Sequence, residues 1–84
     1  MFTIQYSNQA VKFFKGTDKK LAQRIIKQIE DLMANPFPQG VKVIEGYKEK
    51  TYRIRVGNYR ILYEVDREKN FIGVVKIDHR GNVY

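Results

Sequence analysis

The sequence predicts an α+β fold, in which an antiparallel sheet packs against a helical hairpin. Helical spacing of apolar residues is confined to the part of the chain before Pro36, and strand-like segments fill the part after Pro38. The chain has 84 residues, of which 43% are hydrophobic, enough for one small core. We therefore expect a single domain over residues 1–84 with the element order β-α-α-β-β-β-β.

The first elements are a strand and a short helix. Apolar residues alternate weakly over Met1–Tyr6, which indicates a strand. Ser7 is a favourable N-cap, and helical spacing predicts a first helix over Asn8–Lys15 that ends at Gly16.

Thr17 or Asp18 is expected to cap a second, longer helix that ends at Asn35-Pro36, because the residue before proline disfavours helical backbone. Its apolar stripe consists of Leu21, Ile25, Ile29 and Leu32/Met33, flanked by Ala22 and Ile26. Its other face carries Lys19, Lys20, Arg24, Lys27, Glu30 and Asp31. We interpret the stripe as core and the lysine-rich face as solvated, although a bound partner could use that face.

Four strands are predicted after Pro38. They are Val41–Ile44, Thr51–Val56, Tyr59–Val65 and Phe71–Ile77, separated by polar turns over Glu45–Lys50 and Asp66–Asn70 and by the two-residue hairpin signal Gly57-Asn58. The last strand is almost continuously apolar, which predicts a central strand buried on both faces.

The composition is strongly basic. Sixteen Lys and Arg against nine Asp and Glu give a net charge of +7 and a pI of about 9.8. Such a charge favours a polyanionic partner, but a solvated surface without a special partner is equally compatible with it. The placement of the charges has to decide between the two.

Several classes of protein are disfavoured. The chain has no cysteine and a single histidine, His79, so we expect no metal site and no thiol chemistry. It contains no glycine-rich phosphate loop, no nucleophile elbow and no paired-carboxylate pattern. No apolar run approaches the roughly 18 residues of a membrane span, and Met1–Tyr6 does not read as a signal peptide. We expect a small cytoplasmic protein that needs no cofactor and binds no membrane.

The Gly57-Asn58 turn predicts how its flanking strands pair. The register that follows is Val56 opposite Tyr59, Arg55 opposite Arg60, Ile54 opposite Ile61, and Arg53 opposite Leu62. Opposed residues share a face, so the apolar set is expected to lie under the helices. The opposite face then carries Thr51, Arg53, Arg55, Arg60, Leu62 and Glu64.

The arginines of that second face indicate phosphate binding. Because Arg55 lies opposite Arg60, their β-carbons are expected to be about 5 Å apart. Such a pairing of like charges costs stability, and the fold does not require it. An exposed ion pair between Arg53 and Glu64 would contribute at most about 1 kcal/mol, and no nearby acid separates Arg53 from Arg60. Each guanidinium offers a planar fork to phosphate oxygens and stays charged. We therefore favour phosphate or RNA binding over a merely solvated arginine surface.

A second cluster, DHRGNVY at residues 78–84, follows the expected central strand. His79, Arg80 and Tyr84 supply an imidazole, a cation and a phenol. These groups suffice in kind for metal-free cleavage of RNA, in which the 2′-hydroxyl loses a proton, the phosphorane is stabilised by positive charge and the leaving 5′-oxygen gains a proton. The alternative is a basic tail without a role, and the residues alone slightly favour it, because chain ends are usually poorly ordered.

Three segments of the chain resemble the RelE/ParE toxin superfamily. The central hairpin of the family resembles YRIRVGNYRILYEV at residues 52–65, its connection after the second helix resembles NPFPQG at residues 35–40, and its closing segment resembles IDHRGNVY at residues 77–84. RelE-type members are toxins of toxin–antitoxin pairs that cut mRNA in the ribosomal A site and are held inactive by an antitoxin. The resemblance implies this fold over essentially the whole chain.

By position, the resemblance implies catalytic roles for three residues. Arg60 matches the hairpin arginine that binds and stabilises the scissile phosphate. Arg80 matches a residue proposed to assist protonation of the leaving group. Tyr84 matches an aromatic residue that orients or deprotonates the 2′-hydroxyl or stacks on a base.

The resemblance also implies RNA-binding roles for Arg53, Arg55 and His79. Ribosome-dependent members often have lysines or arginines at the two strand positions. Because arginine does not deprotonate, general-base duty would move to Tyr84 or His79, or the site would act mainly through electrostatics.

We therefore expect a ribosome-dependent mRNA endonuclease that works without metal or cofactor. Its expected partners are the ribosome, mRNA and a RelB-like antitoxin with an acidic amphipathic segment that covers the arginines. The alternative is a ParE-like toxin of the same fold that inhibits DNA gyrase; such members generally lack the arginine and tyrosine constellation. A basic RNA-binding module without activity ranks third.

Overall fold

A computed structural model describes residues 1–79, which form two helices and one five-stranded sheet. The elements are β1 (Thr3–Tyr6), α1 (Asn8–Lys15), α2 (Lys19–Asp31), β2 (Lys42–Ile44), β3 (Thr51–Val56), β4 (Tyr59–Asp66) and β5 (Phe71–His79). The expected α+β class and element order are confirmed.

The sheet is mixed, with the strand order β1-β5-β4-β3-β2. The pairs formed by β2 to β5 are antiparallel, as predicted, but β1 runs parallel to β5, with Thr3 opposite Phe71 and Tyr6 opposite Val74. The expectation of a wholly antiparallel sheet is therefore corrected at this one pair. Tight turns force neighbouring strands to be antiparallel, whereas the rest of the chain separates β1 from β5 and leaves their relative direction free.

Side-chain caps begin both helices. Ser7 Oγ accepts a hydrogen bond from the backbone N–H of Ala10, and the Asp18 carboxylate accepts one from the N–H of Leu21, each at 3.1 Å. Asp18, rather than Thr17, is therefore the second cap.

The second helix ends earlier than predicted. Its last helical residue is Asp31, although the sequence predicts a helix that continues to Asn35-Pro36. The N–H groups of Leu32 and Met33 bond to carbonyls three residues back, so the chain tightens into a turn before the proline is reached.

The core lies between the helices and one face of the sheet, as expected. Its fully or almost fully buried members are Ala10, Ile25, Ile29, Leu32, Ile54, Val56, Ile61, Tyr63, Ile72, Val74 and Ile77. The hydroxyl of Tyr63 donates a 2.6 Å hydrogen bond to the carbonyl of Pro36 and so fastens the segment after α2 to the sheet. Burial, with a smaller contribution from the neighbouring Tyr52, raises the pKa of Tyr63 well above its ordinary value of 10.0.

β5 lies between β1 and β4, but it is not buried on both faces as predicted. Ile72, Val74 and Ile77 are buried towards the helices, while the residues between them are half-buried or exposed. The register against β4 shifts after Tyr63, which pairs with Val74, so that Leu62 pairs with Lys76. The extra residue on β5 is Val75, and it forms a β-bulge.

The start of α1 holds this bulge in place. Ser7 donates from its backbone N–H to the Val74 carbonyl at 2.9 Å and from its hydroxyl to the Val75 carbonyl at 2.6 Å. The Gln9 side-chain amide then exchanges two hydrogen bonds with the backbone of Ile77, at 2.8 and 2.9 Å. Gln9 thus continues the pairing along the β5 edge beyond the end of β1.

No helix within residues 1–79 is long and apolar enough to cross a membrane.

Candidate nucleic-acid interface

The hairpin that carries the predicted arginines has the predicted register. Arg55 lies opposite Arg60, and Arg53 lies opposite Leu62. The φ angle of Gly57 is +59°, as the first central residue of a type II′ turn requires, and this turn joins the strands directly. The local sequence therefore determines the relative positions of these arginines.

Neighbouring strands add two lysines to the same side of the sheet. Lys42 of β2 lies opposite Arg53, and Lys76 of β5 lies opposite Leu62. Because opposed residues share a face, the side of the sheet away from the helices carries a group of five cations, which we call the basic face. Its members are Lys42, Arg53, Arg55, Arg60 and Lys76.

The cations of the basic face differ in exposure. Arg55 is exposed and Arg53 is half-buried, whereas Arg60 is only 8% exposed. Leu62 is buried on this side as well. Long basic side chains can cover an apolar neighbour with their stems while their charged ends stay in water. The basic face therefore presents exposed charge around a buried guanidinium, rather than a uniformly solvated set of arginines.

An acid lies beside Arg60, which the sequence reasoning did not anticipate. Asp78 of β5 is directly opposite Arg60, and its Oδ1 is 3.7 Å from Arg60 Nε. Its other oxygen, Oδ2, is 3.5 Å from Nζ of the half-exposed Lys76. The expectation of no nearby acid between Arg53 and Arg60 came from considering β3 and β4 alone, and β5 supplies a carboxylate beside Arg60.

His79 lies on the opposite side of the sheet. It pairs with Tyr59, a residue of the helix-facing side, and the two rings meet edge to face at 5.1 Å. The Tyr59 ring in turn contacts Phe13 of α1 at 5.6 Å. Of the predicted site residues within residues 1–79, the fold brings Arg53, Arg55 and Arg60 together and separates His79 from them.

Arg80 and Tyr84, which were predicted to be catalytic, lie outside the described residues. Within residues 1–79, no group of three or more His, Cys, Asp or Glu side chains could hold a metal ion.

Sequence reasoning missed Asp78, Lys42 and Lys76 as neighbours of the arginines. Lys42 and Lys76 belong to strands whose registers no two-residue turn determines. One signal for Asp78 was present: apolar alternation on β5 slips by one position at Val75, which is typical of a bulge.

Comparison with known proteins identifies the family. The family described as "ParE toxin of type II toxin-antitoxin system, parDE" matches residues 4–84. The chain belongs to this toxin family. The similarity to the RelE/ParE superfamily that the sequence motifs indicated is thereby confirmed.

Relatives named RelE or RelG cover nearly the whole chain. A chain of the archaeal RelE–RelB complex from Pyrococcus horikoshii OT3 is 27% identical, with a TM-score of 0.82 and 98% of each chain covered. A chain of the RelB–RelE antitoxin–toxin complex from Methanococcus jannaschii is 32% identical, with a TM-score of 0.70 and coverage of 94% of this chain and 93% of that chain. Toxin RelG of Mycobacterium tuberculosis is 24% identical over 84 residues, which are 99% of this chain and 95% of that protein.

Proposed function

We propose that this toxin is a ribosome-dependent endoribonuclease that cleaves mRNA in the A site without a metal ion. The observation that carries the proposal is the direct opposition of Arg55 and Arg60 on the paired strands β3 and β4, inside the five-stranded sheet. Like charges in this position destabilise the fold. Asp78 offsets the charge of Arg60 from the β5 side, and an RNA phosphate on the Arg55 side would offset the repulsion that is left.

In the proposed reaction, the 2′-oxygen attacks the neighbouring phosphorus and the 5′-oxygen leaves. The products are a 2′,3′-cyclic phosphate, or a 3′-phosphate after hydrolysis, and a 5′-hydroxyl end. Charge accumulates on the phosphorane oxygens, and a guanidinium held in a partly desolvated position stabilises such charge more than one in water. Arg60 is only 8% exposed, which suits it to this role.

The other groups of the site take supporting roles. Arg55 and Arg53 would bind phosphate oxygens from the exposed part of the basic face. Arg80 and Tyr84 are proposed as the groups that protonate the leaving oxygen and that orient or deprotonate the 2′-hydroxyl. His79 faces the helices, so the proposed catalytic chemistry does not depend on it.

The proposed protein partner is a RelB-like antitoxin with an acidic amphipathic segment. Support comes from the Pyrococcus and Methanococcus relatives, which were solved as RelE–RelB complexes. The net charge of +7 and the exposed cations of the basic face suit an acidic segment, which would exclude RNA while it is bound.

Primer extension on a defined mRNA in a reconstituted translation reaction tests the proposed activity. The reaction is run with and without ribosomes, using the wild-type toxin and the Arg60→Ala variant. We expect cleavage with the wild type only when ribosomes are present, and a loss of at least about 100-fold in Arg60→Ala, since a donor to the developing charge is removed.

Lys69→Ala is the matched control, because Lys69 is an exposed cation in the β4–β5 turn and its loss changes the net charge equally. It should cleave like the wild type. Wild-type activity in Arg60→Ala, or intact mRNA with every protein, contradicts the proposed function.

A gyrase inhibitor of the same fold is the second candidate, and the match to the ParE family favours it. A supercoiling assay with purified gyrase distinguishes the two. Inhibition of supercoiling together with intact mRNA would replace the nuclease assignment.

A further inference from the structure

A groove runs between α2 and the outer edge of β3. β2 pairs only with residues 51–53, so beyond Arg53 the edge of β3 faces α2 instead of another described strand. The groove consists of two adjoining concavities of about 470 and 290 Å³, which share Gln28 and Arg55. We call it the α2 groove.

The smaller concavity is lined by three cations and by no acid. Arg24 and Lys27 come from α2, Arg55 comes from β3, and all three are exposed. Arg24 and Lys27 are three residues apart and therefore neighbours on the helix surface. The larger concavity adds Lys42 and Arg53, together with the carboxylate of Asp31. Positive charge thus continues from the basic face over the sheet edge to α2.

The hairpin turn allows Arg24 to approach closely. A β-carbon at Gly57 would lie only 3.2 Å from Nη2 of Arg24, which is tighter than most contacts of real side chains. The absence of a side chain at position 57 therefore leaves room for this guanidinium against the turn. Arg24 is thereby positioned at the same end of the hairpin as Arg55 and Arg60.

We propose that the α2 groove binds the phosphate backbone of the RNA next to the scissile phosphate, with Arg24 and Lys27 as its contacts. Arg55 lines the groove and also belongs to the basic face, so it lies where the two parts of one RNA strand would meet. This proposal rests on the proposed endoribonuclease function. Arg24 and Lys27 hold the strand and take no part in the chemistry.

The test measures the affinity of a fluorescein-labelled single-stranded RNA by anisotropy between 50 and 200 mM KCl. The double variant Arg24→Ala/Lys27→Ala should bind about 10-fold more weakly at 100 mM salt. The slope of log K against log salt should fall by about 1.4, because each lost contact to single-stranded nucleic acid removes about 0.7.

Lys19→Ala/Lys20→Ala is the matched control. It removes the same charge from the same helix but outside the groove, and its slope should stay at the wild-type value. An unchanged slope in Arg24→Ala/Lys27→Ala, or equal losses in both double variants, overturns the proposal.

The binding assay is independent of cleavage, so the two proposals fail separately. If the wild-type toxin leaves mRNA intact while the salt slope of Arg24→Ala/Lys27→Ala falls as expected, the nuclease proposal is refuted and the groove proposal stands. If cleavage depends on Arg60 but the salt slope does not change in Arg24→Ala/Lys27→Ala, the groove proposal is refuted and the nuclease proposal stands.

Discussion

Removal of the Arg60 side chain should destabilise the fold as well as abolish cleavage. The sequence alone predicts no structural cost, because Arg60 faces away from the core. In the structure its side chain is 10% exposed and that of Asp78 is 15% exposed, with Nε and Oδ1 3.7 Å apart. Arg60→Ala therefore leaves a largely buried carboxylate without its opposed cation.

The expected cost lies between the values for exposed and buried ion pairs. Two unit charges at 3.7 Å attract by about 4.5 kcal/mol at an effective dielectric of 20, before desolvation is subtracted. Breaking a fully buried pair costs roughly 3–5 kcal/mol, and an exposed pair contributes roughly 0–1 kcal/mol. Because Lys76 still contacts Asp78, we expect Arg60→Ala to lower the free energy of unfolding by about 2 kcal/mol. In a domain of this size that lowers Tm by roughly 8–16 °C.

A double-mutant cycle with Asp78→Asn, followed by urea unfolding, tests this reasoning. In the wild-type background Asp78→Asn should cost about 1–2 kcal/mol, since it removes the negative charge opposite the Arg60 guanidinium. In the Arg60→Ala background it should instead recover about 1 kcal/mol, since it removes a largely buried carboxylate that has lost its ion pair with Arg60 and keeps the one with the half-exposed Lys76. The same sign and size in both backgrounds would refute the ion-pair argument. The double variant is then the better-folded control for the cleavage assay.

Two further predictions concern the support of the site. Tyr63→Phe should cost about 1–2 kcal/mol through loss of the bond to Pro36. The pKa of Tyr63 is raised in the folded state, so its contribution to the free energy of unfolding is complete below pH 10 and is lost as pH rises further. Above pH 10, the wild type should therefore lose up to about 1.4 kcal/mol of stability per pH unit relative to Tyr63→Phe, as measured by urea unfolding. Ser7→Ala should cost about 1–2 kcal/mol, because one hydroxyl caps α1 and also bonds to the bulged Val75; a loss of less than about 0.5 kcal/mol in thermal unfolding would contradict this.

Local patterns were sufficient for most of the fold. Ser7 and Asp18 were readable as caps because a short polar side chain before a helix satisfies its free N–H groups. The Gly57-Asn58 turn determined the register of β3 and β4, since a two-residue loop leaves only one pairing. The end of α2 was predicted too late because a proline shows only that a helix has ended before it, and not at which earlier residue the helical hydrogen bonding stops.

The sequence predicted the neighbours within the candidate site only where it also predicted the register of the strands that carry them. Arg53, Arg55 and Arg60 belong to a single hairpin, so sequence counting was enough to bring them to one face. The position of Asp78 could not be counted in this way, because β5 follows a longer turn and contains a bulge. Without the extra residue at Val75, continued pairing would place Ile77 opposite Arg60 and Asp78 opposite Tyr59.

The sequence by itself determined the α+β class, the order of elements, the toxin family and the arginine hairpin, because each depends on short-range patterns or motifs. Only the tertiary structure decided that β1 lies parallel to β5, that Asp78 and Lys76 stand beside Arg60, and that His79 turns towards the helices. It also decided that Arg24 and Lys27 of α2 share a groove with Arg55. The physical reason is that a one-residue shift in a strand exchanges its faces, and contacts between distant segments set that shift.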